Sequence, residues 1–123
     1  YGQLGNASNA RSLTPVLVQG LTSGALDVEA GGFTTCGVSS AGAALCWGDG
    51  FNGQLGNGGT ADSTVPVAVS TLTSSITAVT TGGFHGCARR TTGAVSCWGD
   101  NLYGQLGIGT TTRSLVPVKV VDP

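Results

Sequence analysis

Apolar and polar residues alternate over short stretches of this chain, and no stretch has the apolar spacing of an amphipathic helix. A proline followed by two valines that stand two residues apart recurs three times, with the valines at Val16 and Val18, Val67 and Val69, and Val118 and Val120. This spacing places both valines on one face of a strand. Proline is tolerated at a strand start or on an edge strand, where a missing N–H costs little. Each valine pair therefore predicts a short outer strand.

Three further strands are predicted ahead of the second and third valine pairs. Residues 22–51 align without a gap on residues 73–102, and 13 of these 30 positions are identical. In the first copy the pattern predicts strands at 25–30, 33–38 and 43–47. A pair of glycines closes the first strand, and a three-residue loop ending in glycine joins the other two into a hairpin. Together with the outer strand, each copy predicts four antiparallel strands, and the chain is predicted to be all-β.

These strands belong to a tandem repeat. The repeated positions are Trp47, Gly48, Gly53, Gln54, Leu55 and Gly56 in one copy, and Trp98, Gly99, Asn101, Gly104, Gln105, Leu106 and Gly107 in the next. A truncated copy opens the chain, and the first glycine of the Gly-Gln-Leu-Gly run falls at Gly2, Gly53 and Gly104, which gives a 51-residue period. We therefore expect residues 1–21 to be the loop and outer strand that end a preceding repeat, followed by full repeats at 22–72 and 73–123.

Composition narrows the function classes. The chain has 123 residues, 22 glycines, 9% charged residues and a net charge of -1. A chain with so few basic residues lacks the positive surface that binds a phosphate backbone, so nucleic acid is not an expected partner. No apolar run approaches the roughly 20 residues that a membrane helix needs, so no membrane insertion is expected. The absence of methionine and the start within a repeat predict a processed chain or a piece of a longer one.

The four cysteines test the predicted hairpin. Counting back along both strands from the loop places Cys36 opposite Cys46 and Cys87 opposite Cys97. Directly opposed residues have Cα atoms close enough for a disulfide, so we predict one disulfide in each repeat. Free buried thiols and a four-cysteine zinc site are the alternatives, although zinc sites favour Cys-x₂₋₄-Cys spacing. Disulfides indicate an oxidising compartment, hence an extracellular or cell-surface protein.

Four blocks in fixed order now carry a family resemblance. They are Gly-x-x-His-x-Cys-Ala at 82–88, a turn glycine at 93, Cys-Trp-Gly-Asp-Asn-x-x-Gly-Gln-Leu-Gly at 97–107, and Pro-Val-x-Val at 117–120. This pattern resembles the regulator of chromosome condensation (RCC1) repeat, in the form of the tandem repeats of bacterial secreted proteins. The resemblance implies a β-propeller in which each repeat supplies one four-stranded blade. The chain would then hold two complete blades and the outer strand segment of a third.

The resemblance implies binding rather than catalysis. We expect a non-enzymatic module that binds another protein, or a glycan, through its blade loops. A structural alternative is self-assembly, in which further copies, or the rest of a longer parent chain, complete a propeller or fibre. Repeats of this kind bury their apolar faces only by stacking, and about three are needed for stability. A guanine-nucleotide exchange factor is the third reading, but the ungapped period leaves no room for the insertion that this activity needs in the family.

No residue pattern predicts a catalytic centre, a metal site or a cofactor. His85 is the single histidine and has no carboxylate or nucleophile at a spacing that makes a triad, so we expect a structural role at a strand end. Asp49 and Asp100 recur in turns, where aspartate bonds local backbone amides. The glutamines of the Gly-Gln-Leu-Gly run are expected to bond loop backbone as well. Trp47 and Trp98 are expected to fill space between blades.

Overall fold

Eight β-strands in two antiparallel sheets form the computed structural model, which describes residues 1–121. The first sheet contains, in spatial order, β1 (Asp27–Gly31), β2 (Thr34–Val38), β3 (Ala44–Gly48) and β4 (Ser63–Ala68). The second contains β5 (Ile76–Thr81), β6 (His85–Arg90), β7 (Val95–Gly99) and β8 (Ser114–Lys119). No residue from 1 to 121 is helical, so no helix of the described chain is long and apolar enough to cross a membrane. The predicted all-β fold with four antiparallel strands per blade is confirmed.

The hairpin between β2 and β3 closes through the predicted loop. The backbone N–H of Ser39 donates to the carbonyl of Ala43, and the N–H of Gly42 donates to the carbonyl of Ser39, both at 2.9 Å. Gly42 has φ 76°, in the left-handed region that a glycine adopts without steric strain. The equivalent Gly93 has φ 87°. Both hairpins therefore share the loop that the sequence predicts.

This register brings the cysteines together in pairs. Cys36 lies opposite Cys46 with their Cα atoms 4.1 Å apart, and their sulfur atoms are joined at 2.11 Å. Cys87 lies opposite Cys97 with a Cα separation of 4.0 Å and the same sulfur distance. Each pair cross-links the two central strands of one sheet. None of the four cysteines is free.

The fourth strand begins earlier than the valine pairs predict. In the first sheet it runs from Ser63 to Ala68, so Pro66 lies inside it and Val69 lies just beyond its end. The pairing of β4 with β3 shifts between Cys46 and Gly48, where the ladder is irregular. An edge strand with such an irregularity has fewer ladder hydrogen bonds to lose, and this accommodates the proline. The β7–β8 pair shows the same shift.

Residues 1–21, here called the N-terminal segment, form turns and extended stretches without a strand. Val16 and Val18, where an outer strand was predicted, pair with no other strand, because the described chain holds no inner strands of that sheet. The segment instead lies against the first sheet. The backbone N–H of Ala7 donates to the carbonyl of Thr64 in β4 at 2.9 Å. The packing of this segment is thus a tertiary contact rather than a continuation of a sheet.

The core lies between the two sheets. Side chains alternate along a strand, so Cys46 and Trp47 mark opposite faces of the first sheet, which we call the disulfide face and the tryptophan face. The disulfide face of the first sheet packs against the tryptophan face of the second. The buried cluster comprises Cys36, Val38, Ala44, Cys46, Leu55, Val69, Leu72, Ile76, Val79, Ala88 and Trp98. The carboxylate of Asp27 also accepts a hydrogen bond from the N–H of Val79 at 2.9 Å and ties the inner strands together.

Candidate functional site

The β1–β2 turn and the β3–β4 loop lie at the same end of the first sheet, because successive antiparallel strands reverse direction. The equivalent connections of the second sheet lie at the same end of that sheet. We call this end of the molecule the loop end. Phe33 follows the glycine pair in the first turn and Phe84 follows it in the second. The loop end therefore carries an aromatic residue from each blade at the same place.

A buried aspartate organises the β3–β4 loop. The N–H of Asp49 donates to the carbonyl of Phe33 at 2.9 Å, which links the loop to the neighbouring turn. Its carboxylate accepts hydrogen bonds from the N–H of Phe51 at 3.1 Å and from the side-chain amide of Gln54 at 2.9 Å. The Gln54 oxygen accepts from the N–H of Asn52 at 2.8 Å. Because the amides of Phe51 and Asn52 donate to these buried side chains, the Phe51 ring is left on the solvent side of the loop.

The β7–β8 loop repeats this arrangement. The carboxylate of Asp100 accepts from the Gln105 side chain at 2.9 Å, and the Gln105 oxygen accepts from the N–H of Tyr103 at 2.9 Å. Asn101 adds a brace that the first loop lacks: its amide nitrogen donates to the carbonyls of Thr110 and Thr112 at 2.9 and 3.0 Å. The predicted roles of the aspartates and glutamines in bonding local backbone are thus observed in both loops.

Four aromatic rings form a surface at the loop end, which we call the aromatic patch: Tyr1, Phe33, Phe51 and Phe84. Their exposed fractions are 58%, 47%, 71% and 44%. The rings of Tyr1 and Phe33 lie 5.3 Å apart between centroids and are tilted by 50°, within the range of favourable aromatic pairs. The patch borders a groove of about 320 Å³ that Asp49, Asn52 and Asp62 also line. Exposed aromatic area of this kind is typical of interaction sites.

The charge at this end differs between the two loops. Asp62 accepts a hydrogen bond from the N–H of Gly50 at 3.0 Å and lies at the groove. Its counterpart one repeat later is Arg113, whose guanidinium donates to the carbonyl of Phe51 at 3.4 Å. No group of three or more histidine, cysteine, aspartate or glutamate residues that could hold a metal ion occurs within residues 1–121.

The tryptophans are buried in the contacts between repeats and are not part of the aromatic patch. The indole N–H of Trp47 donates to the backbone carbonyl of Gln3, and that of Trp98 donates to the backbone carbonyl of Gln54, both at 2.8 Å. The two rings are 1% and 0% exposed. Each tryptophan therefore fills space between one repeat and the Gly-Gln-Leu-Gly turn of the repeat before it, as the sequence predicts.

The remaining predicted positions shape the loops. Leu55 and Leu106 are fully buried beneath them. All six glycines of the repeated motif have a positive φ; they are Gly48, Gly53, Gly56, Gly99, Gly104 and Gly107. His85 begins β6 and is half-buried, and its ring packs on Gly82, which fits the expected strand-end role.

The aromatic patch was not among the predicted site residues. A signal for it exists in the sequence, because a phenylalanine follows both glycine pairs and a large apolar residue, Phe51 or Leu102, follows both third-strand turns. What the alternation pattern does not reveal is that these positions, together with Tyr1 from another repeat, meet at one end of the molecule.

Comparison with known families identifies the repeat. A family model described as "Regulator of chromosome condensation (RCC1) repeat" matches residues 41–89 and 92–123, and a second model with the same description matches residues 26–54 and 76–105. This chain belongs to the RCC1 repeat family. The RCC1 matches at 41–89 span β3 to β6, so the family's sequence unit is out of phase with the four-stranded sheet.

Two curated relatives are about one third identical to this chain over the matched residues. The ultraviolet-B receptor UVR8 of Arabidopsis thaliana is 34% identical over 124 residues, which cover 99% of this chain and 28% of the receptor. The human E3 ubiquitin-protein ligase HERC2 is 34% identical over 113 residues, which cover 90% of this chain and 2% of the ligase. The chain thus spans less than a third of the length of either relative.

Solved structures share the fold, and one of them is a structure of yeast RCC1 (Prp20). Human WBSCR16 superposes with a TM-score of 0.77 and 26% identity, over 98% of this chain and 33% of that protein. Prp20p of Saccharomyces cerevisiae superposes with a TM-score of 0.72 and 16% identity, over 87% of this chain and 27% of that protein. The two sheets are therefore blades of the RCC1-type β-propeller architecture.

Proposed function

We propose that this chain is a non-enzymatic binding module of an RCC1-type propeller, and that it contacts a partner protein through the aromatic patch. The observation that carries the proposal is the exposure of four aromatic rings at one end of the molecule. Aromatic residues are enriched in the energetically dominant parts of protein interfaces. A contiguous exposed apolar surface rimmed by polar groups is typical of an interaction site.

The rigidity of the loop end supports the same proposal. Phe51 is presented by a loop whose backbone amides are bonded to Asp49 and Gln54, and Phe33 and Phe84 follow tight turns between strands. A preorganised surface loses little conformational entropy when it binds, so more of the contact energy appears as affinity. Asp62 at the groove favours a partner that presents a cationic side chain there.

Related proteins support binding as the class of function. One yeast structure is described as Kap60 bound to RCC1 (Prp20), and another describes the binding properties of Prp20p to Gsp1p and histones. Those partners belong to those proteins. For this chain the proposal is limited to an unidentified protein, and a glycan is the alternative ligand because sugar rings also stack on exposed aromatic side chains.

We further propose that the protein works outside the cell or on its surface. The support is the pair of disulfides, since cytosolic thiols are kept reduced in most organisms. Together these features describe a secreted or surface-displayed RCC1-type module.

Cross-linking of the tagged protein to the extracellular fraction of its source organism, followed by titration of the purified partner, tests the binding proposal. The double variant Phe51→Ser/Phe84→Ser should weaken binding by roughly a thousandfold, because aromatic residues that dominate an interface contribute about 2 kcal/mol each. Leu13→Ser/Leu17→Ser is the matched control, since both leucines are exposed but lie in the N-terminal segment. Equal affinity of both double variants would reject the aromatic patch, and capture of glycans instead of protein would establish the alternative ligand.

A further inference from the structure

Two carboxylates lie among the aromatic rings of the groove at the loop end. Asp49 is 6% exposed, and its oxygens accept hydrogen bonds from the N–H of Phe51 and the side-chain amide of Gln54. Asp62 is exposed, and its Oδ1 accepts from the N–H of Gly50 at 3.0 Å. The other oxygen of Asp62, Oδ2, accepts no hydrogen bond from residues 1–121. The groove therefore offers an unused carboxylate oxygen beside the aromatic patch.

These carboxylates have no cationic partner in the part of the chain that the structure describes. None of the residues that line the groove is lysine, arginine or histidine, and the donors to Asp49 and Asp62 are neutral amides. Arg113 donates to the carbonyl of Phe51 at 3.4 Å, but it does not line the groove. Buried carboxylates such as Asp49 are usually paired with a cation. The charge of the groove is therefore complementary to a cationic ligand.

The acid and the exposed aromatic ring occur together in one loop. Asp62 stands where the other two copies of the repeat have Arg11 and Arg113. Phe51 lies in the same β3–β4 loop, and its counterpart one repeat later is Leu102. The β7–β8 loop thus has neither the acid nor the aromatic ring, so the combination distinguishes this groove from the equivalent place in the second sheet.

The groove lies between two adjacent blades. Its lining residues other than Tyr1 fall within 33–84, in the loops of the first sheet and the first turn of the second. Its volume of about 320 Å³ is at the lower end of the range for ligand pockets. A groove of this size suits a single side chain better than a large ligand.

We propose that this groove binds an arginine side chain of the partner protein. The inference rests on the proposed binding function and names the chemical group that the aromatic patch recognises. The guanidinium stacks on the Phe51 ring, which is 71% exposed, and the π electrons of the ring attract the cation. Its N–H groups donate to the Asp62 carboxylate, including the free Oδ2. Both contacts use groups that the chain itself leaves uncovered.

Arginine fits these groups better than the other cations that a protein can present. A quaternary ammonium, as in trimethyllysine, has no N–H and would leave the Asp62 carboxylate without a donor. A lysine ammonium can donate, but it is compact and strongly hydrated, whereas the planar guanidinium is weakly hydrated and stacks on aromatic faces. The guanidinium can also pair with a carboxylate through two parallel N–H groups. Flat rings beside a carboxylate with a free oxygen therefore favour arginine.

Titration of the isotope-labelled protein with N-acetyl-arginine amide, followed by NMR, tests the proposal without the partner protein. The backbone amide signals of Gly50, Phe51 and Asn52 should shift, with a Kd on the order of millimolar, as expected for one side chain. N-acetyl-citrulline amide is the matched ligand, because its urea group has nearly the same shape and no charge. It should bind roughly tenfold more weakly, since it makes neither the cation–π contact nor the ion pair.

Three variants locate the contact. Asp62→Asn keeps an acceptor for the Gly50 N–H but removes the charge, so it should raise the Kd of the arginine ligand roughly fivefold. Glu29→Gln is the matched control, because it removes a negative charge from an exposed side chain that does not line the groove, and it should leave the Kd unchanged. Phe51→Leu introduces the residue type of Leu102 and should raise the Kd roughly threefold, because apolar surface remains but the π face is lost. Amide signals away from the loop end should match the wild type in each variant, which shows that the fold is intact.

Equal affinity for the arginine and citrulline ligands would overturn the inference, as would an Asp62→Asn protein that binds arginine as tightly as the wild type. Equal losses in Asp62→Asn and Glu29→Gln would overturn it too, because net charge rather than the groove would then attract the ligand. The inference and the proposed function can fail separately. A partner protein whose binding depends on Phe51 and Phe84, together with no binding of the arginine ligand, would retain the function and overturn the inference. Arginine binding in the groove, with partner affinity independent of these rings, would support the arginine site and reject the proposed function.

Discussion

The indole N–H of Trp98 donates to the backbone carbonyl of Gln54 at 2.8 Å, although 44 residues separate them in sequence. Trp47 makes the same contact with Gln3. Each bond joins one blade to the Gly-Gln-Leu-Gly turn of the repeat before it. Because the acceptor is a main-chain oxygen, its position depends on the fold of the turn rather than on the glutamine side chain.

The two tryptophans are expected to differ in their contribution to stability. Trp98→Phe leaves the buried Gln54 carbonyl without its donor and opens space, and should lower the free energy of unfolding by about 2–4 kcal/mol. Trp47→Phe should cost less, about 1–2 kcal/mol, because the Gln3 carbonyl keeps a hydrogen bond from the Thr35 hydroxyl at 3.0 Å. Urea denaturation of both variants measures the difference, and equal losses would contradict the role given to Thr35.

The glycine pairs that precede the patch phenylalanines offer a matched comparison. Gly32 has φ 51°, and a Cβ there would collide with the carbonyl of Gly83 in the neighbouring sheet. Gly32→Ala should therefore destabilise the protein by about 2–4 kcal/mol. Gly83→Ala meets no atom within 4 Å and should stay within about 0.5 kcal/mol of the wild type. Thermal unfolding followed by circular dichroism measures both, and similar losses would mean that the sheets do not approach at this point.

The two disulfides should contribute unequally to the free energy of unfolding. Each closes a short loop across a sequence separation of 10, for which chain entropy predicts about 2.8 kcal/mol. Removing Cys36 and Cys46 as a double alanine variant should cost more than this, because both are fully buried in the core and leave a cavity. The Cys87→Ala/Cys97→Ala variant should cost less, since Cys97 is buried but Cys87 is only half-buried, so the cavity that is left is partly open to water.

Mass measurement after alkylation without reductant tests the disulfides directly. The expected result is that no cysteine is modified in the native or denatured wild-type protein. Modification of all four cysteines in the denatured protein would show that the disulfides are absent, and the argument for an extracellular location would then fail.

The glutamine that braces each loop gives a fourth comparison. Gln54 is 1% exposed, and Gln54→Ala leaves the Asp49 carboxylate and the Asn52 N–H each short of a partner. A loss of about 1–3 kcal/mol is expected. Gln105→Ala removes the same two bonds from a half-buried loop, where water replaces them, so its loss should be under about 1 kcal/mol. Hydrogen exchange of the two loops would locate the change, and a larger loss at Gln105 would show that burial does not set the difference.

The sequence by itself determined what depends on neighbours along the chain. The 51-residue period, the strand alternation and the glycine-terminated hairpin loop predict the register, and the register is enough to place Cys36 opposite Cys46. The outer strand β4 begins a few residues before the position that the valine pair predicts. Its start is set by an irregular pairing with β3, which valine spacing does not encode.

Only the tertiary structure decided which equivalent residues are covered. Val28 and Val79 occupy the same place in their repeats, yet one is 60% exposed and the other 6%. The aromatic patch likewise requires Tyr1 to meet Phe33 and the acceptor turn of one repeat to meet the tryptophan of the next. These contacts arise from the packing of one sheet on another, which depends on what lies on each side of a repeat. Similar local sequences therefore give similar strands but different surfaces.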